Sequence, residues 1–300
     1  MVGTPILTPS VMPTSPSQFL SLEQLDLIHE LDEKIPELIA MLEPSNEESE
    51  TLTEWCMKSK ASKRYLIDTK WNLEAAVKKL NATLEWRKEY KPDQIKLEDV
   101  ESEAVTGKGF ISGFDKNGRP MLFIIPRLDT AKDPEKALRF LVFLIEKCIG
   151  LMPEGVEKMA VVVDYANVGF FNATPMSVAV KYLHVLQLSF GVLDGGCFDI
   201  YQTLNHRNHF PERLGVLVIM HPTLFLSGLF SVLKPLMDPV TVAKIHLVSP
   251  TTPPAALTGV ETDKFDLYSI FSPDQLPVAY GGTHAFEYSH GEYWQCLQKV

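Results

Sequence analysis

The sequence predicts an α/β protein, with a helical N-terminal module followed by a lobe built on a mostly parallel sheet with flanking helices. Three observations predict it. Two uninterrupted apolar runs, 159–163 and 214–220, have the length and β-branched content of strands covered on both faces, as parallel strands are. Helical patterns alternate with these runs, which is the signature of βαβ units. From residue 19 to about 91, by contrast, the periodicity is helical.

The elements follow in order. Residues 1–18 set Pro5, Pro9, Pro13 and Pro16 among Ser and Thr and read as a disordered leader. Residues 19–50 read as one acidic helix interrupted at Pro36, then loop, so that 1–50 stands apart from the module. The helical module proper covers 51–95; Asn72 is its clearest N-cap, with Ala75, Ala76, Leu80, Leu84 and Trp86 near one face. The lobe covers 96–282. It opens with GFISGFD and PMLFIIPR, whose connection Lys116-Asn117-Gly118-Arg119 contains the Asn-Gly pair of a tight hairpin. A helix over 134–151, the strand MAVVVDYA, a helix over 175–187 and the strand LGVLVIMH come next. A helix over 223–236 and the strand KIHLVSP complete the lobe, and 283–300 is a short mixed tail.

Composition bounds the function. A net charge of −10 argues against a nucleic-acid binder, which carries a basic surface, and no nucleic-acid partner is expected. Cys56, Cys148, Cys197 and Cys296 lie far apart with no C-x-x-C pair, which disfavours a structural metal or a disulfide framework and suits a reducing cytosol. His206 and His209 lack a third ligand at suitable spacing, so no metal is expected. No secretory signal opens the chain. Leu214 to Leu233 carries no formal charge, but His221 and Pro222 break it; a strand feeding an apolar helix is expected there, not a membrane span.

Residues 208–244 are the most informative. Glu212 precedes an apolar strand and an apolar helix, and the stretch closes on Asp-Pro-Val-Thr and Lys244. That order can place Glu212, Thr241 and Lys244 beside an apolar cavity with one polar end, which suits an apolar ligand with a charged head.

These segments resemble a known family. RYLIDTKWNLEAAVKKLNATLEWRKEY (64–90), DKNGRPMLFIIPR (115–127), VVVDYANVG (161–169), HFPERLG (209–215), LKPLMDPVTVAKI (233–245) and LPVAYGG (276–282) occur in the order found in CRAL-TRIO lipid-binding proteins. The chain resembles their phosphatidylinositol-transfer (Sec-fourteen-like) branch. MLFIIPRLDT, LVFLIEKCIGLMPEG and the TKW tripeptide look closest to the fungal subgroup associated with pleiotropic drug resistance.

The resemblance implies a non-enzymatic, cytoplasmic carrier, expected to be monomeric and without a cofactor. It would enclose one phosphatidylinositol in a lipid cavity and exchange it while docked transiently and peripherally on membranes. By motif, Thr241 and Lys244 match residues that contact the inositol phosphate, and Glu212 matches the acidic partner of that lysine. Thr69 and Lys70 match a basic segment of the N-terminal module that also reaches the head group. The apolar helix carrying Phe225, Leu229, Phe230 and Leu233 becomes a lid over the cavity, with buried core as the plainer reading. Its hinge would lie near Ser227-Gly228 or Met237-Asp238-Pro239.

Departures from the family pattern refine this. Met159 and Val161 stand where phosphatidylcholine-binding members carry hydroxyls, so a sterol or another hydrophobe is the expected second ligand. Ile67 and Asp68 interrupt the basic segment before Lys70. Residues 188–207 interrupt the family match and read as a surface insertion or a translated intron. Lys58, Lys60, Lys63, Arg64 and Lys70 form a basic run that could meet anionic lipid or simply be a solvated helix face.

Two other classes compete. Asp164 ends an apolar strand, where an open α/β sheet presents functional carboxylates, so a hydrolase or nucleotide-binding enzyme is conceivable, although no nucleophile or base motif accompanies it. A lipid or sterol sensor that presents its ligand to a kinase has the same sequence features as a carrier.

Overall fold

Two serines start the first two helices. In α1 (Leu22–Ala40) the Ser21 hydroxyl accepts from the Gln24 amide while the Gln24 side chain accepts from the Ser21 amide. Ser45 and Glu48 repeat this capping box for α2 (Asn46–Lys58). The computed structural model describes residues 3–9, 19–131, 133–168, 209–248 and 266–299.

The module continues with α3 (Ala61–Asp68), α4 (Leu73–Tyr90) and α5 (Leu97–Ala104). Asn72 caps α4 as expected, its side chain accepting from the Ala75 amide at 2.9 Å. The first helix departs from its expected role. Leu31, Ile35, Leu38 and Ile39 of α1 share one core with Leu52 and Cys56 of α2, Tyr65 and Leu66 of α3, and Leu80 and Leu84 of α4. The segment 19–50 is therefore part of the module and not a separate leader. Pro36 lies inside α1 without ending it. A proline there costs about 3 kcal/mol, and burial of Leu38 and Ile39 just beyond it, each about 1.5–3 kcal/mol, outweighs that.

The leader is corrected as well. Over 3–9 the chain is ordered in the fold: the Gly113 amide donates to the Ile6 carbonyl, Gly3 forms a bridge with Phe286, and Leu7 is buried. Prolines suit such an edge, which needs only some of its amides. The tail is also more than a tail. Helix α9 (His290–Leu297) sends the Tyr293 hydroxyl to accept from the Ile111 amide at 2.8 Å and buries Trp294 and Leu297.

The sheet has strand order β1–β2–β3–β4–β5. Strands β1 (Gly109–Phe114) and β2 (Pro120–Ile124) form the expected antiparallel hairpin. One oxygen of Asp115 accepts from the Asn117 and Arg119 amides inside its turn, and Gly118 takes φ 71°. Strands β3 (Met159–Asp164), β4 (Leu214–Met220) and β5 (Ile245–Val248) then run parallel to β2. Helix α6 (Pro134–Gly150), capped by Asp133, buries Leu138, Leu141 and Leu144 in the lobe core. The expected helix over 175–187, the segment 188–207 and Cys197 lie outside the described residues.

The apolar helix is shorter than expected. Helix α7 spans Leu224–Leu233, and a 3₁₀ turn, Lys234–Leu236, follows it before α8 (Pro239–Ala243). It is not core on all sides: Leu224 and Val232 are 75% and 69% exposed, while Phe230 packs against the lobe core. No described helix is long and apolar enough to cross a membrane.

Candidate functional site

Four parallel strands begin at one end of the sheet, and a cation precedes each: Arg119 before β2, Lys158 before β3, Arg213 before β4 and Lys244 before β5. The parallel register explains their proximity. Met159 lies level with Leu214, and the Met159 amide donates to the Arg213 carbonyl at 2.8 Å, so Lys158 stands beside the Glu212–Arg213 step.

Glu212 is the hub. Its Oε2 accepts from Lys158 Nζ at 2.7 Å and lies 3.9 Å from Lys244 Nζ. The expected Glu212–Lys244 pair is present, but the closer contact is to Lys158, which the sequence reading missed. Arg119 completes the cluster. Its side chain lies flat over Gly215, where an added Cβ would fall 2.6 Å from Arg119 Nη1. Burial pushes the Lys244 ammonium below its ordinary range; Lys158 and Arg119 add to this, while Glu212 and Asp238 oppose it. Arg119 is itself paired with Asp115 at 3.7 Å, and the two lysines around one hub carboxylate leave an excess of positive charge beside Thr241, which sits three residues before Lys244.

The backbone here is held under strain. Glu212 has φ 58°, a left-handed conformation that costs a side-chain-bearing residue of order 1 kcal/mol or more. Arg64 fixes the preceding peptide. This guanidinium is only 2% exposed and donates through Nη1 to the Pro211 carbonyl at 2.9 Å. Its remaining bonds run to Ser59, from Nε to the carbonyl at 2.7 Å and from Nη2 to the hydroxyl at 2.9 Å.

The N-terminal segment contributes less than expected. The Thr69 hydroxyl is engaged in closing α3, donating to the Tyr65 carbonyl at 2.9 Å. Lys70, with φ 54°, extends into solvent 3.8 Å from Asp238. Asp238 caps α8 by accepting from the Val240 amide, so Lys70 reaches the end of the helix that carries Thr241. Asp68, the departure in this segment, pairs with Lys79. The basic run is also dispersed: Arg64 is buried, Lys60 and Lys63 pair with Glu157, and Lys58 pairs with Glu54. Of the lid positions, Phe230 reaches the core, and the side chains of Phe225, Leu229 and Leu233 lie outside the described residues.

A second constellation sits at the opposite, carboxyl end of the strands. Asp164 accepts from Arg127 Nη1 at 2.5 Å and from the Ala166 amide at 2.9 Å, with His221 Nδ1 at 3.1 Å and the Tyr280 hydroxyl at 3.5 Å. Burial opposes ionisation of this carboxyl, but Arg127, the Ala166 amide and His221 outweigh it and hold it below the usual carboxylate range. Every contact is a donor holding the loop after β3 and the residue before the α7 turn, which fits a structural clamp. The sign of its pH dependence follows. A depressed folded value makes the contribution fully present well above the ordinary Asp value of about 3.9 and lost as pH falls through it. The stability gap between the wild type and Asp164→Asn is therefore expected to shrink from about pH 5 to about pH 3 in thermal melts. A gap independent of pH over that window would sink the clamp.

The family model of the CRAL/TRIO domain matches residues 104–192 and 197–282, more than half of the chain. The chain belongs to the CRAL/TRIO domain family. The match breaks at 193–196 and includes 188–192 and 197–207 of the segment expected to interrupt it. The CRAL-TRIO domain-containing protein C23B6.04c of Schizosaccharomyces pombe is 29% identical over 237 residues, covering 79% of this chain and 20% of that protein. The phosphatidylinositol transfer protein PDR17 of Saccharomyces cerevisiae is 29% identical over 248 residues, covering 79% of this chain and 61% of that protein. This chain thus spans a fifth to three fifths of the length of these relatives. Among solved structures, the crystal structure of Sfh5 matches this chain with a TM-score of 0.51 at 17% identity, over 94% of this chain and 98% of that one. The α/β fold with a helical module and a mostly parallel sheet is thereby shared with a known structure.

Proposed function

We propose that this chain binds one phosphatidylinositol in a lidded apolar cavity and exchanges it between membranes. The observation that carries the proposal is the pair Lys158 and Lys244 around Glu212, with Arg119 over the neighbouring Gly215 and Thr241 beside them. A phosphodiester brought to a cavity wall needs cations and hydroxyl donors already in place, because an unpaired buried charge is very costly. Glu212 holds two lysines in position before the lipid arrives, and the likeness to PDR17, a named phosphatidylinositol transfer protein, supports the ligand.

In this reading the protein is a carrier and not a catalyst, requires no cofactor, and works as a cytoplasmic monomer that meets membranes peripherally. A sterol or another hydrophobe is the second ligand, since buried Met159 and Val161 offer a choline phosphate no hydrogen bond. Phosphatidylinositol exchange between liposomes, with mass spectrometry of the copurified lipid, tests the proposal. Retained lipid without exchange would favour the sensor reading, and neither retention nor exchange would end both.

The outer face of α7 carries the membrane contact. Leu224 and Val232 stand exposed on it with no polar duty. Inserting them into an interface gains up to about 1.5–3 kcal/mol per side chain, a gain that aspartate forfeits. Leu224→Asp with Val232→Asp should slow liposome exchange by about 10–100-fold and leave the copurified lipid unchanged. An unchanged exchange rate would remove α7 from the membrane contact.

A further inference from the structure

A cavity of about 550 Å³ lies between the helical module and the lobe, away from α7 and α8. Trp55 and the Ser59–Lys60 step wall it from the module side, Gly150 at the end of α6 and the 152–157 loop from the lobe side, and Arg213 closes it. Its volume is that of a small-molecule site.

Most charges in its wall are already matched. Arg87 pairs with Glu146 at 2.7 Å and Asp93 at 3.3 Å while stacking on Trp55 at 4.4 Å; Glu157 pairs with Lys60 and Lys63, and Glu54 with Lys58. Arg213 is the exception. It is 6% exposed, its Nη1 donates to the Glu157 carbonyl at 2.8 Å, and its buried Nε has no hydrogen-bond partner. No carboxylate among the described residues pairs with it. Burial pushes this guanidinium down to about 9; Arg64 nearby adds to the shift, while Glu146 and Glu157 oppose it. Among the described residues, Arg64 donates to Ser59 and Pro211 alone. Among the described residues neither of these neighbouring buried guanidiniums has a carboxylate within ion-pair distance; Glu146 and Glu157 act on Arg213 only at longer range, and a buried charge without a close counterion is costly.

We infer that this cavity is a second binding site, for a small oxyanion-bearing ligand whose phosphate or carboxylate group seats on Arg213. A planar guanidinium in the cavity wall suits such a group, which guanidinium binds through paired N–H bonds. The cavity lies at the joint that holds Pro211 and Glu212, so its occupant would brace the module against the lobe.

Thermal melts of the full chain at constant ionic strength test this, with inorganic phosphate and succinate as separate probes. The expected result is a saturable rise in midpoint with at least one probe, since a ligand bound only to the folded state stabilises it by mass action. Arg213→Gln should abolish the rise. The variant with Thr241→Asp and Lys244→Ala should keep the rise, which separates this site from the strand-end cluster. No rise with either probe in the wild type would overturn the inference. So would a rise that survives Arg213→Gln, or one that disappears with the Thr241 and Lys244 changes.

Discussion

Thr241→Asp together with Lys244→Ala is expected to abolish phosphatidylinositol exchange while leaving the circular dichroism spectrum and the melting profile close to wild type. The two halves of that expectation come from different contacts. On the binding side, losing a charge-assisted hydrogen bond costs about 1.5–3 kcal/mol, and a carboxylate at 241 adds repulsion against the phosphate. A loss near 3 kcal/mol corresponds to about a hundredfold in affinity. On the folding side, Glu212 keeps Lys158 at 2.7 Å when Lys244 is gone, so no carboxylate is orphaned. Burial already disfavours the Lys244 ammonium, and alanine relieves that penalty. Exchange that persists in the double variant would remove the strand-end cluster from head-group binding.

Lys158→Ala should then be the milder change, because Lys244 remains 3.9 Å from Glu212 and can close on it. That contrast also shows what the sequence could and could not reveal. Glu212, Thr241 and Lys244 were legible because they belong to motifs with a fixed order along the chain. Lys158 belongs to no motif, and Arg119 was legible only as part of the hairpin segment 115–127. Both join the site because parallel strands start abreast, and the register that aligns Met159 with Leu214 is a tertiary fact. A lysine immediately before an apolar parallel strand was the available signal, and it gains meaning only once the neighbouring strand is known to begin with Glu-Arg.

The strands, the hairpin turn and the Asn72 cap could be read locally because period, turn chemistry and capping are local properties. The first helix was misassigned for the opposite reason. Its acidic composition suggests a detached helix, whereas the stripe Leu31, Ile35, Leu38 and Ile39 finds its partners on three later helices. Prolines misled in the same way at the N-terminus, where an extended edge over 3–9 is held by Gly113 and by the segment around Phe286. For open parallel sheets, ligand sites are expected at the carboxyl ends of the strands. That expectation points to Asp164, yet Asp164 is fully engaged by Arg127, Ala166, His221 and Tyr280. The excess of positive charge collects at the amino ends instead.

Arg64 carries the second large prediction. Composition places it in a basic surface run, but the fold buries it with all of its observed bonds on Ser59 and Pro211. Arg64→Met keeps the apolar stem and removes a costly buried charge, which by itself is stabilising. It also leaves the Ser59 carbonyl and hydroxyl and the Pro211 carbonyl buried without their donor, at about 1 kcal/mol or more each. The acceptors outnumber the relieved charge, so the balance is a loss of about 2–3 kcal/mol. For a chain of this size that lowers the thermal midpoint by about 5–10 °C. The functional loss should exceed the stability loss. Pro211 precedes Glu212, whose φ of 58° persists only while its neighbours hold it. Released from Arg64, that residue can relax to an ordinary conformation and withdraw its carboxylate from Lys158 and Lys244. Exchange measured well below the melting transition should therefore fall about tenfold or more in Arg64→Met, as expected for a preorganised site misplaced by about 1 Å. A variant that melts early yet exchanges lipid at the wild-type rate would show that Arg64 braces the joint without positioning Glu212.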